Sequence, residues 1–510
     1  MKWTLLLLTS LLSQSLIADP KDKEPCFTKL SEVLSCFIRH NDGVNSFQLL
    51  STQKENDITI ETYVFESQKW PIEENKDIPT TVWKHKLVLY TPDKLSHNTA
   101  LLYVGGGYVR NAEGKDQDFI ASKEHLDFKS LAHKNNALIV DLQDVPNQSL
   151  PMDGSFKRED QIVASTYEKV MKDPLKNAYL AGHLPMVKAV VKAMDLVQKL
   201  KGTQNFVLTG LSKRGWAVWL TALEDNRVQA IIPIVIDILN TQKSIVHICK
   251  VYGECPYAID KDYSELTHKL NSPELADLMK IEDPFSYLGA DYDPKYKERL
   301  AIPKLIITAS GDDFFVPDSS QWFLKELPGS ENFFRVLPNS MHYFRGFFIA
   351  DSTQSLESAN ASVDSFFDFL MNKTALPKLQ WSFEKNRIDV KSSSKPAKVK
   401  LWTAFNEKNR DFRYLNEFSK WWLVKKWQIF KKYIRHFFSM SLCDTCYYES
   451  EVEFHCSETD TCKIEVPLLS PKTPAWRAAF VELHYEIEGR SFILSTEVSI
   501  EHVSAEKTNL

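Results

Sequence analysis

From about residue 84 to residue 377, short apolar runs alternate with amphipathic stretches. KHKLVLYTP (84–92), TALLYVGGG (99–107) and ALIVDLQ (137–143) are predicted strands, and LPMVKAVVKAMDLVQKL (184–200) repeats its apolar positions at helical spacing. FVLTG (206–210), a helix-compatible AVWLTALE (217–224), AIIPIVID (230–237), PKLIITASG (303–311) and FFRVLP (333–338) continue the series, and SVDSFFDFLMN (362–372) is its last helix. Buried strands alternating with helices predict a mostly parallel sheet covered on both faces, a three-layer α/β domain.

Two regions break the pattern. Between Asp237 and Pro303 no strand signal appears, and LTHKLNSPELADLMKI (266–281) reads as helix, which predicts a helical cap over residues 238–302. After Pro377 the chain changes to alternating apolar and polar residues, as in AWRAAFVELHYEIEGRSFILSTEVSI (475–500), predicting a small β-sandwich-like domain over 378–503. Inside it FSKWWLVKKWQIFKKYIRHFF (418–438) sorts apolar and basic residues onto opposite sides of a helical wheel. Such a helix packs its apolar side on the protein or lies on an anionic membrane surface.

The 510 residues exceed one core, in keeping with a large domain of 84–377, a small one after it and an N-terminal extension, 19–83, packed on the first. A net charge of −5 with 25% charged residues gives no reason to expect a nucleic-acid partner. The first 18 residues, MKWTLLLLTSLLSQSLIA, have the short apolar core of a secretory signal peptide and predict a secreted or periplasmic protein. Eight cysteines in local groups then favour disulfides. Pairs 26–36 and 249–255 are expected, while Cys443, Cys446, Cys456 and Cys462 allow three connectivities; a zinc site from these four with His455 is the less favoured alternative. Sequons stand at Asn147, Asn360 and Asn372.

The candidate chemistry begins at TGLSKRGW (209–216), where Ser212 lies between a predicted strand and a predicted helix. A serine there is either the helix N-cap or a nucleophile on a sharp turn. The usual G-x-S-x-G pattern is altered, since Arg214 stands where the second glycine belongs and Gly215 arrives one residue late. An acid, Asp313, with Asp312 as its neighbouring alternative, follows the strand ending in SGDDFFVPDSS, and His342 follows the next strand. Serine, acid and histidine in that order, each after a strand, fit the triad of an α/β hydrolase. The amide of Lys213 and those of Gly106 or Gly107 in the GGG turn are the expected oxyanion donors. Arg214 is expected to buttress the turn rather than bind substrate, and Asp237, ending its apolar run, is a candidate for substrate contact or structure. No metal or cofactor is expected.

GLSKRGW with WLTA, AIIPIVIDILN, DPFSYL, GDDFFVPDSS, RDFR (410–413) and WRAAFVEL together resemble the PhoPQ-activated pathogenicity-related protein family, from about Lys84 onward. The resemblance implies an exported α/β-hydrolase-like domain followed by a small β domain, with Ser212, Asp313 and His342 at the triad positions. It also implies an ester or peptide substrate and a role in virulence or envelope stress. Since the family includes a secreted growth repressor, a silent signalling or binding protein on the same scaffold is the alternative.

Overall fold

The structure, a computed structural model, describes residues 27–111, 113–121, 126–343, 351–413, 445–458 and 460–504. Its centre is a nine-stranded sheet whose chain order begins with β1 (Phe47–Glu55), β2 (Ile58–Trp70), β3 (Thr81–Pro92) and β4 (Thr99–Val104). A side hairpin, β5 (Gly107–Arg110) and β6 (Asp116–Ala121), precedes β7 (Ile139–Leu142), and a second, β8 (Leu150–Met152) and β9 (Ser155–Lys157), follows it. Then come β10 (Asn205–Leu211), β11 (Val228–Ile234), β12 (Lys304–Ala309) and β13 (Asn332–Leu337). The spatial order is β1-β2-β3-β7-β4-β10-β11-β12-β13. From β7 to β13 neighbouring strands run parallel, and β1 to β3 are added antiparallel.

Helices cover both faces because alternate residues of the central strands point to opposite sides. Leu102, Phe206, Leu208 and Ile231 join one core with α1 (Val33–Arg39), α3 (Asp160–Lys172), α4 (His183–Lys201) and α5 (Lys213–Glu224). Leu101, Val207, Ile232, Leu305 and Ile307 join the other with α2 (Phe128–Asn135) and α10 (Asp351–Asn372). The three layers expected from the sequence are present. The sheet starts earlier than residue 84, however: β1, β2 and the start of β3 belong to it, so these strands are part of the central layer rather than an extension lying on it. All but one residue of β1 are exposed, which is why it shows no apolar run.

Between β11 and β12 the chain forms α6 (Thr241–Tyr252), α7 (Tyr257–His268), α8 (Pro273–Glu282) and the short α9 (Lys295–Arg299). The side chain of Ser272 caps α8 by accepting from the Leu275 amide, so the predicted helix 266–281 is two helices. A disulfide joins Cys249 to Cys255 across the α6–α7 turn, and Cys456 pairs with Cys462, which takes two residues out of the alternative zinc set. Cys36 and Cys446 are disulfide-bonded as well. These bonds fit an oxidising compartment.

Two antiparallel sheets follow Pro377. One holds β14 (Leu379–Glu384), β15 (Arg387–Ser392), β18 (His455–Cys456) and β19 (Cys462–Pro467); the other holds β16 (Lys398–Asn406), β17 (Tyr448–Glu451), β20 (Ala475–Ile487), β21 (Arg490–Ser495) and β22 (Ser499–Val503). Ile388, Val390 and Ile464 of the first share a core with Leu401, Val481 and Leu483 of the second, as in a sandwich. The predicted signal peptide and the amphipathic stretch 418–438 lie outside the described residues. Among the described residues no helix is long and apolar enough to cross a membrane.

Candidate active site

β10 ends in a turn so sharp that Ser212 has φ 54° and ψ −129°, a backbone conformation costly for any residue but glycine. Ser212 occupies the N-cap position of α5, its carbonyl accepting from the Trp216 amide at 3.0 Å, yet its side chain makes no capping hydrogen bond. The hydroxyl instead lies 2.9 Å from His342 Nε2. That contact separates the two sequence readings of the serine, since a cap would turn its oxygen to the α5 amides.

Tight packing explains the altered glycine pattern. A Cβ on Gly215 would stand 2.8 Å from the Gly210 carbonyl oxygen and 3.0 Å from Ile236 Cγ2, and one on Gly210 would stand 3.0 Å from the Arg214 backbone. The helix therefore closes onto the strand through residues 210 and 215. Position 214, the usual second glycine, is free to carry a long side chain. Arg214 uses it to reach the Val145 carbonyl with Nε at 2.7 Å and the Glu159 carboxylate with Nη2 at 2.7 and 2.8 Å. Lys213 Nζ reaches the same carboxylate at 3.0 Å and Asp160 at 3.2 Å. Arg214 is thus engaged as a buttress.

The acid facing the histidine is Asp312, not Asp313. His342 Nδ1 and Asp312 Oδ2 are 2.8 Å apart, and both side chains are buried. Asp312 Oδ1 accepts from the amides of Phe314 and Phe315 at 2.7 and 3.1 Å, which pins the carboxylate and leaves Oδ2 for the imidazole. Asp313 stands beside the pair, and its carboxyl is pushed up by burial and by the charge of Asp312. With a carboxylate on one side, Nδ1 carries the imidazole proton and Nε2 is left to accept from Ser212. Burial opposes protonation of His342, but the Asp312 charge and hydrogen bond outweigh it and raise the pKa above the ordinary histidine value.

Lys213 is the first residue of α5, where an amide N–H has no acceptor within the helix. The Gly105–Gly107 turn lies at the end of β4, next to β10 in the sheet. The carbonyls of Gly105 and Gly106 accept from the amides of Val145 and Asp144 at 3.1 and 3.0 Å, and that of Gly107 accepts from Gln148 Nε2 at 2.6 Å. A Cβ on Gly106 would come within 2.6 Å of Arg214 Nη2, so the guanidinium occupies the space a side chain would need. Asp237 is at 0% exposure, with its carboxyl set against the side chain of Thr308. Burial, together with the charges of Asp312 and Glu497, pushes its carboxyl up to about 7. A carboxyl so fully buried fits a structural role rather than one that meets substrate.

Aromatic rings flank the imidazole, with Phe314 at 4.3 Å and Tyr343 at 4.9 Å between centroids. The RDFR motif lies near enough for the Arg413 charge to act on Asp313. Arg410 pairs with Asp318, which His247 of α6 also reaches at 3.2 Å, and Arg413 lies 3.9 Å over the ring of Tyr252 while bound to Asp411. Sequence reasoning missed Glu159 and Asn339. Both have positive φ, at 49° and 51°, but an isolated Glu or Asn carries no sequence signal of that. The sequon at Asn147 is buried, its amide donating to the Lys84 carbonyl and to Asp144, so it offers no acceptor in the folded chain.

The chain is 32% identical over 381 residues to autocrine proliferation repressor protein A of Dictyostelium discoideum, covering 70% of each. Among solved structures it is similar to acetyl xylan esterase 1 of a Thermoanaerobacterium species (13% identity, TM-score 0.40, 66% of this chain and 94% of that one). It is also similar to a glucuronoyl esterase of Solibacter usitatus (13% identity, TM-score 0.34, 65% and 91%). Residues 34–413 match the family described as PhoPQ-activated pathogenicity-related protein, and the chain belongs to that family.

Proposed function

We propose that the protein is an exported serine hydrolase that cleaves an ester or peptide bond through Ser212, His342 and Asp312. The observation that carries this reading is the continuous contact from the Ser212 hydroxyl through both nitrogens of His342 to the Asp312 carboxylate. Ser212 Oγ attacks the carbonyl carbon as its proton passes to His342 Nε2. The tetrahedral oxyanion is met by the amides of Lys213 and of Gly106 or Gly107. The carbon–leaving-group bond then breaks, and the leaving group takes the proton from Nε2. Water repeats the sequence on the acyl-enzyme, with His342 again as base, and frees Ser212.

Fluorophosphonate labelling followed by mass mapping tests the reading. Label on Ser212 that Ser212→Ala and His342→Ala both abolish is expected. The relative named as a proliferation repressor supports a second reading, a secreted signal on a silent scaffold. Folded wild-type protein that takes no label and turns over no ester would favour it.

A further inference from the structure

We infer that Glu159 is a positioning residue that holds the two halves of the oxyanion site in register, an inference that rests on the hydrolase reading. Glu159 precedes α3 with φ 49° and ψ −125°, nearly the values of Ser212 at 54° and −129°. A non-glycine residue is kept in this region only when its surroundings over-determine it. The side chain does not cap α3. It is spent on the elbow and on the glycine turn.

One carboxylate ties three strands of chain together. Oε1 accepts from Arg214 Nη2 and from Gln148 Nε2, both at 2.7 Å, and Oε2 accepts from Lys213 Nζ at 3.0 Å and from Arg214 Nη2 at 2.8 Å. The Glu159 amide donates to Gln148 Oε1 at 2.8 Å, so this glutamine is gripped at both ends, and its Nε2 also holds the Gly107 carbonyl. Arg214, fixed by Glu159, lies against Gly106 and holds the Val145 carbonyl, while the Val145 and Asp144 amides hold the carbonyls of Gly105 and Gly106.

The consequence follows from the planarity of the peptide. In a trans peptide the N–H of one residue points opposite to the carbonyl of the residue before it. Fixing the carbonyls of Gly105 and Gly106 therefore aims the N–H groups of Gly106 and Gly107 to the other side. The Lys213 amide is set by the elbow. Glu159 is the group common to both, and although partial burial works against its charge, Arg214 and Lys213 hold its carboxyl well below the usual carboxylate range.

The test compares p-nitrophenyl acetate with its thionoacetate analogue in wild type, Glu159→Gln and Glu159→Asp. An oxyanion site discriminates between oxygen and sulfur, whereas a general loss of stability does not. Glu159→Gln is expected to lower kcat on the oxyester about 10²-fold, the scale of losing one oxyanion donor, with KM little changed and the oxyester-to-thionoester ratio collapsing. Glu159→Asp, which keeps the charge, is expected to recover part of that ratio. If Glu159→Gln does not fold by circular dichroism, Gln148→Ala cuts the Gly107 arm and is read by the same ratio. A wild-type ratio in the folded variants overturns the inference and leaves the hydrolase reading standing. A wild type that neither turns over ester nor takes a phosphonate on Ser212 overturns both.

Discussion

Asp312 and Asp313 are adjacent in the chain, yet only Asp312 has its carboxylate on His342. Their chemistry is identical, and the choice is made by the Phe314 and Phe315 amides, which turn the Asp312 side chain toward the imidazole. The sequence narrows the acid to a pair, and only the loop geometry separates the two. Asp312→Asn should lower kcat by roughly 10³–10⁴-fold, because an amide lets the imidazole settle in the wrong tautomer. Asp313→Asn should stay within about tenfold of wild type in the same steady-state assay, since it touches neither the tautomer nor the nucleophile. The pH profile gives a second readout. His342 must be neutral to act as base, and its pKa is raised, so activity rises with pH along a limb lying above the ordinary histidine value of about 6.5. Removing the Asp312 charge takes away what raises it, so in Asp312→Asn the limb should move toward lower pH. A limb that stays in place would count against the pairing.

At the scale of elements, the strands around the site were legible because each is a continuous apolar run in a sheet buried on both faces. The added strands β1 and β2 were not, since their pairing leaves one of them mostly exposed. The elbow was half legible. Gly215 is visible in the sequence as a displaced glycine, but only the contacts with the Gly210 carbonyl and Ile236 give its reason. Gly215→Ala sets two effects against each other: alanine favours a helix over glycine by about 1 kcal/mol, and the added methyl forces α5 away from β10. Backbone oxygen at 2.8 Å cannot give way as a side chain can. The clash should win, with a net loss of about 1–3 kcal/mol in urea unfolding and slower labelling of Ser212. Unchanged or increased stability would mean that helix and strand are not locked through these residues.

Over the whole molecule, the boundary near Pro377 was legible from the change of period. What the sequence hid is that the β domain holds the loops that carry Asp312 and His342. Asn339, three residues before His342, donates its amide to the Tyr447 carbonyl at 2.9 Å and accepts from the Tyr447 amide at 2.8 Å. On the acid's side Arg410 pairs with Asp318, and Ser320 donates to Glu497 at 3.1 Å. The loops that end β12 and β13 are therefore each tied to residues after Pro377, and sequence separation conceals such contacts until the chain is folded. Asn339→Gly isolates this coupling, because glycine adopts the φ of 51° freely and only the paired amide is lost. Leaving the Tyr447 backbone groups unmatched should cost about 1–3 kcal/mol of stability. The looser histidine loop should slow phosphonate labelling of Ser212, with the fold retained by circular dichroism. Labelling at the wild-type rate in a destabilised variant would mean that the β domain stabilises the chain without helping to place His342, and the two domains would then be neighbours rather than parts of one catalytic unit.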